Sequence, residues 1–313
     1  MGAEWDGVTL QTFWRSGLGL SLRLFRHFKR DGAILRLRRD EEGRWERLRA
    51  PDRVGAGDRL RLLPPREESR VEPEALPLRV VWEDAALLLV QKPAGQVVHP
   101  THGVRAGTLA NAVAAHLARA GAGEGRGIHP VHRIDRVTSG LVLFARSQLA
   151  HDRLTGPGGC GLSRFYLALA QWPPAGSRPL PRLVEAPLSR QPGSARRLAG
   201  AGGRWARTRF RIMQTGEGWA LLLVRPETGR IHQIRAHLAW AGCPILGDAL
   251  YGAERGWPGE GSAIALHAWQ LAFRHPLDGR PLRFRLPPPA AWKPWLEAAG
   301  PSGRRLLHGL RAV

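Results

Sequence analysis

The sequence predicts an α+β fold around a largely antiparallel sheet. Beyond about residue 78, strand-like apolar segments outnumber helical patterns: Leu87–Gln91, Leu141–Ala145, Phe165–Ala170 and Trp219–Val224 stand against one clear helix. Irregular loops rich in glycine and proline join them, so strands and helices do not alternate as a parallel sheet requires. No fixed-period repeat interrupts this pattern.

Residues 1–63 read as a separate unit. Through Pro65 they carry 14 basic and 9 acidic side chains, a net charge of +5. Gly19–Arg39 is amphipathic, with Leu20, Leu24 and Phe28 spaced by four and Leu22 and Phe25 by three. Arg23, Arg26 and Lys29 fall to the side of that stripe, and Ser21 is placed to cap the helix. A short apolar run, Ala33–Leu37, follows. A turn at Gly55–Asp58 then leads to a half-buried strand in which Leu60 and Leu62 alternate with arginines. Helices, a turn and a small sheet in this order resemble a degenerate S-four-like RNA-binding module, a small α/β unit; a plain structural cap is the other reading.

Residues 64–77, PPREESRVEPEALP, are charged, proline-punctuated and without periodicity, as expected of a linker. The main domain is expected over residues 78–292 and a C-terminal tail over 293–313. Its helix begins after Thr108 and places Leu109, Val113 and Leu117 on one side.

A chain of 313 residues suits one large domain or two modest ones, at ~100–200 residues per domain. With 43% apolar residues it can build a core, which excludes a wholly disordered basic protein. The longest apolar stretches fall far short of the ~18 residues of a membrane helix. The start, MGAEWDGVTL, has two acids and no basic region, so no secretory signal is expected, and Asp6 spoils a myristoylation pattern. Cys160 and Cys243 build neither a disulfide framework nor a zinc site. The expectation is a soluble, cytoplasmic protein that works as a monomer.

The formal charge is +21, which argues for a polyanionic partner. An arginine-rich composition can also reflect coding bias, but coding bias does not deplete acids locally. Between Ser163 and Arg211 there are ten arginines and one acid, Glu185, among glycines, prolines and serines. Loops bearing guanidinium groups suit phosphate and unpaired bases, so nucleic acid is favoured over a merely solvated surface.

Two clusters carry chemistry. In HPVHRIDRVTSGLVLFARS, His132, Arg133 and Asp135 precede Thr138-Ser139-Gly140 and an apolar strand, a loop position where functional groups concentrate. Asp135 there is a nucleophile, a base, a metal ligand or a structural partner of Arg133 or Arg136. The spacing of His129, His132 and Asp135 tempts one toward a metal, yet Pro130 disfavours the helix that would align them. In RPETGRIHQIRAHL, His232 and His237 are five apart, on roughly opposite sides of a helix, so a chelating pair is disfavoured. Arg230 is expected to ion-pair with Asp135, because a guanidinium within reach keeps a carboxylate ionised. A basic loop without catalytic members is the alternative.

HRIDRVTSGLVLFA resembles the signature of the RluA-like pseudouridine synthases of the large-subunit rRNA and tRNA type. VQKPAGQVVHP, SRFYLALA, TGRIHQIRAHL, CPILGDALYG and LHAWQLAFRHP agree in the same order across residues 80–286. The departures are small: Ile134 for leucine, Arg136-Val137 for a more polar pair, Arg164 for lysine. The resemblance implies a mixed, mainly antiparallel catalytic sheet with a cleft, and isomerisation of a uridine in structured RNA without cofactor or metal. It implies that Asp135 is the nucleophile, Tyr166 the active-site tyrosine and Arg230 the basic partner. His132, Arg133, Thr138, Arg164, His232, Gln233 and Arg235 are expected to line the pocket or the RNA path. A non-catalytic RNA-binding or ribosome-assembly factor on the same fold is the competing reading.

Overall fold

A computed structural model describes residues 1–37, 44–67, 69, 71–119, 127–156, 159, 161–172, 180–200, 202–253, 257 and 263–301. In the N-terminal part, α1 (Leu10–Thr12) runs into a π turn and then α2 (Leu22–Asp31), β1 (Ala33–Leu37), β2 (Glu46–Arg47) and β3 (Arg59–Leu63). Ser21 caps α2, its hydroxyl accepting from Leu24 N at 3.2 Å, and Leu24, Phe25 and Phe28 are buried on one face. The expected helix thus stops at Asp31, because the next apolar run is a strand. The order β2-β1-β3 is antiparallel and closes a small core around Trp14, Phe28, Ile34 and Val54. Arg36 is buried in β1 and paired with Glu46 and Asp58. Its charge is tolerated inside because two carboxylates meet it.

Between β3 and the main sheet, the described residues of the expected linker form no helix or strand, yet they are laid against the protein. Val71 is buried in the main core, and Asn111 Nδ2 donates to Glu72 O at 2.8 Å. Glu67 accepts from Gln148 N at 2.7 Å and meets His129 Nε2 at 2.5 Å.

The main domain runs β4 (Arg79–Glu83), β5 (Leu87–Lys92), α3 (Leu109–Arg119), β6 (His129–Pro130), β7 (Ser139–Ala145), α4 (Gln148–Thr155), β8 (Ser163–Gln171), β9 (Leu183–Glu185), β10 (Leu188–Arg190), β11 (Arg197–Ala199), β12 (Arg207–Gly216), β13 (Trp219–Pro226), α5 (Gln233–Trp240), β14 (Leu266–Arg274), β15 (Pro281–Arg285) and α6 (Lys293–Ala298). One sheet takes the order β4-β5-β7-β14-β8-β13-β12-β9, with β6 on β7 and β15 on β14; β10 and β11 form a separate hairpin. Every named pair in it is antiparallel except β7 with β14. The central strands are buried on both faces, so they read as unbroken apolar runs. Leu88 and Val90 point into a core with α3 and α6, whereas Leu87 and Leu89 point into one with α4, Phe273 and Phe284. The expected tail begins inside this core: Leu296 of α6 is buried, and Trp295 packs edge-on against Trp219 with ring centroids 5.6 Å apart. Residues 302–313 of that tail lie outside the described residues.

Thr108 and Asn111 cap α3 reciprocally, Thr108 N donating to Asn111 Oδ1 at 3.0 Å and Asn111 N to Thr108 Oγ1 at 3.3 Å. The N-terminal unit docks through Ser21, whose N and Oγ donate to the buried Asp152 of α4 at 2.7 and 2.5 Å. Among the described residues no helix is long and apolar enough to cross a membrane.

β14 changes partners along its length. His267 and Ala268 pair with Ser139 and Gly140 of β7, and from Gln270 onward the strand pairs with β15. The close approach depends on Gly140, at φ +125°, where a Cβ would stand 2.4 Å from Ala268 O. Gly140→Ala therefore combines strain with a backbone clash and should cost about 3 kcal/mol of stability. Its urea midpoint would fall clearly; an unchanged midpoint would refute the packing argument.

Candidate active site

A cleft of about 640 Å³ opens at the ends of β7 and β8. It is lined by residues 130–135 and Thr138, by Arg164 and Tyr166 of β8, by residues 228–234, and by Val97–His99 and Thr101. Asp135, Tyr166, His132, Arg133, Thr138, Arg164, Arg230, His232 and Gln233, all singled out from the sequence, meet there.

Asp135 sits in the loop between β6 and β7, where Thr138 N donates to its carbonyl at 3.1 Å and closes a turn. Its side chain is 23% exposed, and Oδ2 lies 3.5 Å from Arg235 Nη1. That guanidinium belongs to Arg235 and not, as the sequence suggested, to Arg230. Arg230 Nε donates instead to Trp205 O at 3.0 Å. The reason is helical geometry: Arg235 lies in the first turn of α5 with its side chain directed inward, whereas Arg230 precedes the helix on the rim. Arg235 is 6% exposed, which also removes it from the expected RNA path. Asp248 accepts two bonds from it, from Nε at 2.7 Å and Nη2 at 2.8 Å, and Tyr251 lies under the guanidinium at 5.1 Å.

Gln233 lines the cleft, yet its amide is fully used within the protein. Thr228 Oγ1 and Arg230 N donate to Oε1 at 2.7 and 3.0 Å, and Nε2 donates to Arg207 O and Thr208 Oγ1, both at 2.9 Å. All four bonding positions are occupied, so this side chain is a clamp on the β13–α5 loop rather than an RNA contact. The same loop places His232 at φ 55°, the one positive φ among the described non-glycine residues. Tyr251 Oη, accepting from Arg197 N at 2.8 Å, lies 3.3 Å from His232 Nδ1. Burial lowers the His232 pKa, against the opposing charge of Asp135. Tyr251 therefore ties the β10–β11 hairpin to both His232 and Arg235, and Arg196 of that hairpin also sits over its ring, 5.4 Å from the centroid.

Tyr166 is paired in register with Val224 of β13 and Ala268 of β14, in the middle of the sheet. Burial raises its pKa, while Arg164, two residues earlier on the same face, favours the phenolate. Arg164 is held by a bond from Nη2 to Thr228 O at 3.2 Å. Arg133 is exposed on the rim. Thr138 Oγ1 and His132 Nδ1 are buried and find no partner among the described residues.

Lys92 was legible only as part of a motif. It is fully buried, and its Nζ donates to Pro93 O, Gln96 O and Arg136 O at 2.6, 2.8 and 3.1 Å. Burial lowers its pKa to about 7, with the Asp135 charge opposing. It thereby staples the turn after β5 to the residue following Asp135. Asp248 and Tyr251 lie in the CPILGDALYG stretch, but linear spacing carries no sign that they reach Asp135 through Arg235. Among the described residues no group of three or more His, Cys, Asp and Glu side chains is arranged to hold a metal ion.

The family model described as RNA pseudouridylate synthase matches residues 86–240. A protein of Nitrosomonas europaea named ribosomal large subunit pseudouridine synthase D is 36% identical over 247 residues, covering 76% of this chain and 70% of the relative. An uncharacterized RNA pseudouridine synthase of Chloroflexus aurantiacus is 40% identical over 251 residues, covering 80% and 78%. The solved structure of human RNA pseudouridylate synthase domain containing 1 superposes with a TM-score of 0.53 at 21% identity, over 69% of this chain and 85% of that one, a likeness of fold.

Two buried histidines, His132 in the cleft lining and His267 in β14, make the Asp135 loop sensitive to acid. His132 Nε2 accepts from Leu143 N at 3.2 Å, and burial lowers its pKa to about 3, with Arg164 contributing. His267 bonds Ser139 Oγ at 2.8 Å and Leu286 O at 3.1 Å, and burial lowers its pKa to about 4. Both stay neutral in the fold but protonate near pH 6.5 when unfolded, so their stabilisation is complete above that pH and is lost as pH falls from about 6.5 toward 4 for His267 and toward 3 for His132. Each should remove roughly 1 kcal/mol per pH unit in that window. Urea midpoints at constant ionic strength, with ring-proton titration by NMR, test this; either ring titrating near pH 6.5 in the native protein would contradict it.

Proposed function

The chain belongs to the RNA pseudouridylate synthase family and is an RNA pseudouridine synthase, and we propose that Asp135 is its nucleophile, acting on a uridine flipped out of structured ribosomal RNA. The observation that carries this reading is the meeting of an accessible carboxylate, a buried tyrosine and a ring of basic groups in one cleft of nucleotide size. Ribosomal RNA is the proposed substrate class because relatives such as that of Nitrosomonas europaea are named for the large ribosomal subunit. Transfer RNA is the other class open to the family.

In the isomerisation the bond between ribose C1′ and uracil N1 breaks, the ring turns, and C1′ bonds to C5. The C5 proton leaves and N1 becomes protonated; no atom is imported and nothing is oxidised. A base inside a stack offers its glycosidic bond to nothing, so the nucleotide must leave the stack at a cost of a few kcal/mol. Asp135 attacks the extruded nucleotide while Arg235 holds the carboxylate in place and balances its charge. Tyr166 stacks on the uracil, and its hydroxyl, which burial keeps protonated, is placed for proton transfer during the isomerisation. Arg133, Arg230 and His232 act on the flanking RNA. His132 and Thr138 offer the base the polar atoms that the protein leaves unpartnered.

Residues 1–63 add RNA contacts as a basic S-four-like module. We take the protein to act as a cytoplasmic monomer. The Asp135 carboxylate is superfluous to the competing reading, a pure RNA binder.

RNA tritiated at uridine C5 releases the label to water on turnover. Asp135→Asn should release none while its RNA Kd stays within about threefold, since one neutral side chain of equal size changes little surface electrostatics; normal release would remove Asp135 from the nucleophile role. Arg235→Lys keeps a charge but loses the bidentate fork, and should lower kcat at least about tenfold with little change in Kd. Arg230→Lys should do the reverse, with a small effect on kcat. An equal loss of kcat in both would overturn the division between them.

A further inference from the structure

Trp205 is 55% exposed, and Ile231, next to Arg230 in the cleft lining, is 53% exposed. The backbone that presents Trp205 is fixed on every side. Arg204 and Leu188 exchange bonds of 3.0 and 2.9 Å, Ala186 N donates to Ala206 O at 3.1 Å, and Ala206 is fully buried. Arg230 Nε bonds the Trp205 carbonyl at 3.0 Å, so the backbone that carries the indole is tied to a residue lining the cleft. The surroundings are cationic. The nearby acids Glu185 and Glu227 are taken by Arg207 and Arg209, whereas Arg204 and Arg230 have no acidic partner among the described residues.

We propose that Trp205 is a stacking site for an unpaired base of the substrate RNA next to the flipped uridine. An indole on a rigid support loses little entropy on binding, every base offers it a π-face, and the flanking arginines meet the phosphates on either side. Such a platform holds the neighbour of the target while the target itself leaves the stack. The inference rests on the cleft being the uridine site, but its test involves no turnover, so the two can fail separately.

The probe is a fluorescein-labelled oligouridylate of about ten nucleotides, compared with an abasic oligomer of the same charge. Fluorescence anisotropy should show Trp205→Ala weakening oligouridylate binding by about 5- to 150-fold, while the abasic oligomer binds wild type and variant alike. Trp205→Phe should restore most of the affinity, and Trp205→Leu, apolar but unable to stack, should not. Unchanged oligouridylate binding in Trp205→Ala, as expected of a protein-docking residue, would overturn the proposal. So would an equal loss for the abasic oligomer, or a leucine variant that binds as well as phenylalanine.

Discussion

The site depends on a buried guanidinium shared between two carboxylates. Removing the Arg235 charge from water costs several kcal/mol, and only excellent geometry offsets that cost. Asp248 supplies it through two bonds of 2.7 and 2.8 Å, and the Tyr251 ring covers the guanidinium face. Because Asp248 holds Arg235 so firmly, its remaining Nη1 has a fixed direction, and Asp135 stands at its end. The carboxylate is thus positioned by a nearly buried group, and among the described residues no hydrogen bond is made to its Oδ1.

The loop carrying Asp135 needs a second restraint, because a residue between two strands has few ladder bonds of its own. Lys92 provides it from beneath, binding three carbonyls that include the one next to Asp135. Gly140 provides it from the strand side, since its missing Cβ lets β7 approach β14 and brings the end of the loop close to Tyr166 on β8. The β10–β11 hairpin joins the same network through Tyr251, so the arginine-bearing rim and the Asp135 carboxylate share one rigid frame. Further away, Asp152 ties the cap of α2 to α4 and orients the N-terminal unit with respect to the main sheet.

Much of this was legible in the residues. The unbroken runs LLLVQ, LVLFA, FYLALA and WALLLV are strands, each extended by one to three residues, because a strand covered on both faces must be apolar throughout. Ser21 and Thr108 were legible as helix caps because capping is decided within three residues. Asp135, Tyr166 and Arg230 were recognisable from motif order. The partner of Asp135 was misassigned, since Arg230 and Arg235 occur in one motif and their sequence spacing does not say which faces inward. Gln233 looked like a polar pocket group for the same reason.

By itself, the sequence determined which segments could be strands, which loop would carry Asp135, and that the chain is strongly basic. These follow from local pattern and composition, which act over a few residues or over the whole chain. Only the tertiary structure decided which guanidinium meets Asp135, that Lys92 is a staple, and that an exposed indole stands at the rim. Those depend on distances between residues 100 apart along the chain, such as Asp135 and Arg235, and such distances are settled by sheet order and helix rotation rather than by any local preference.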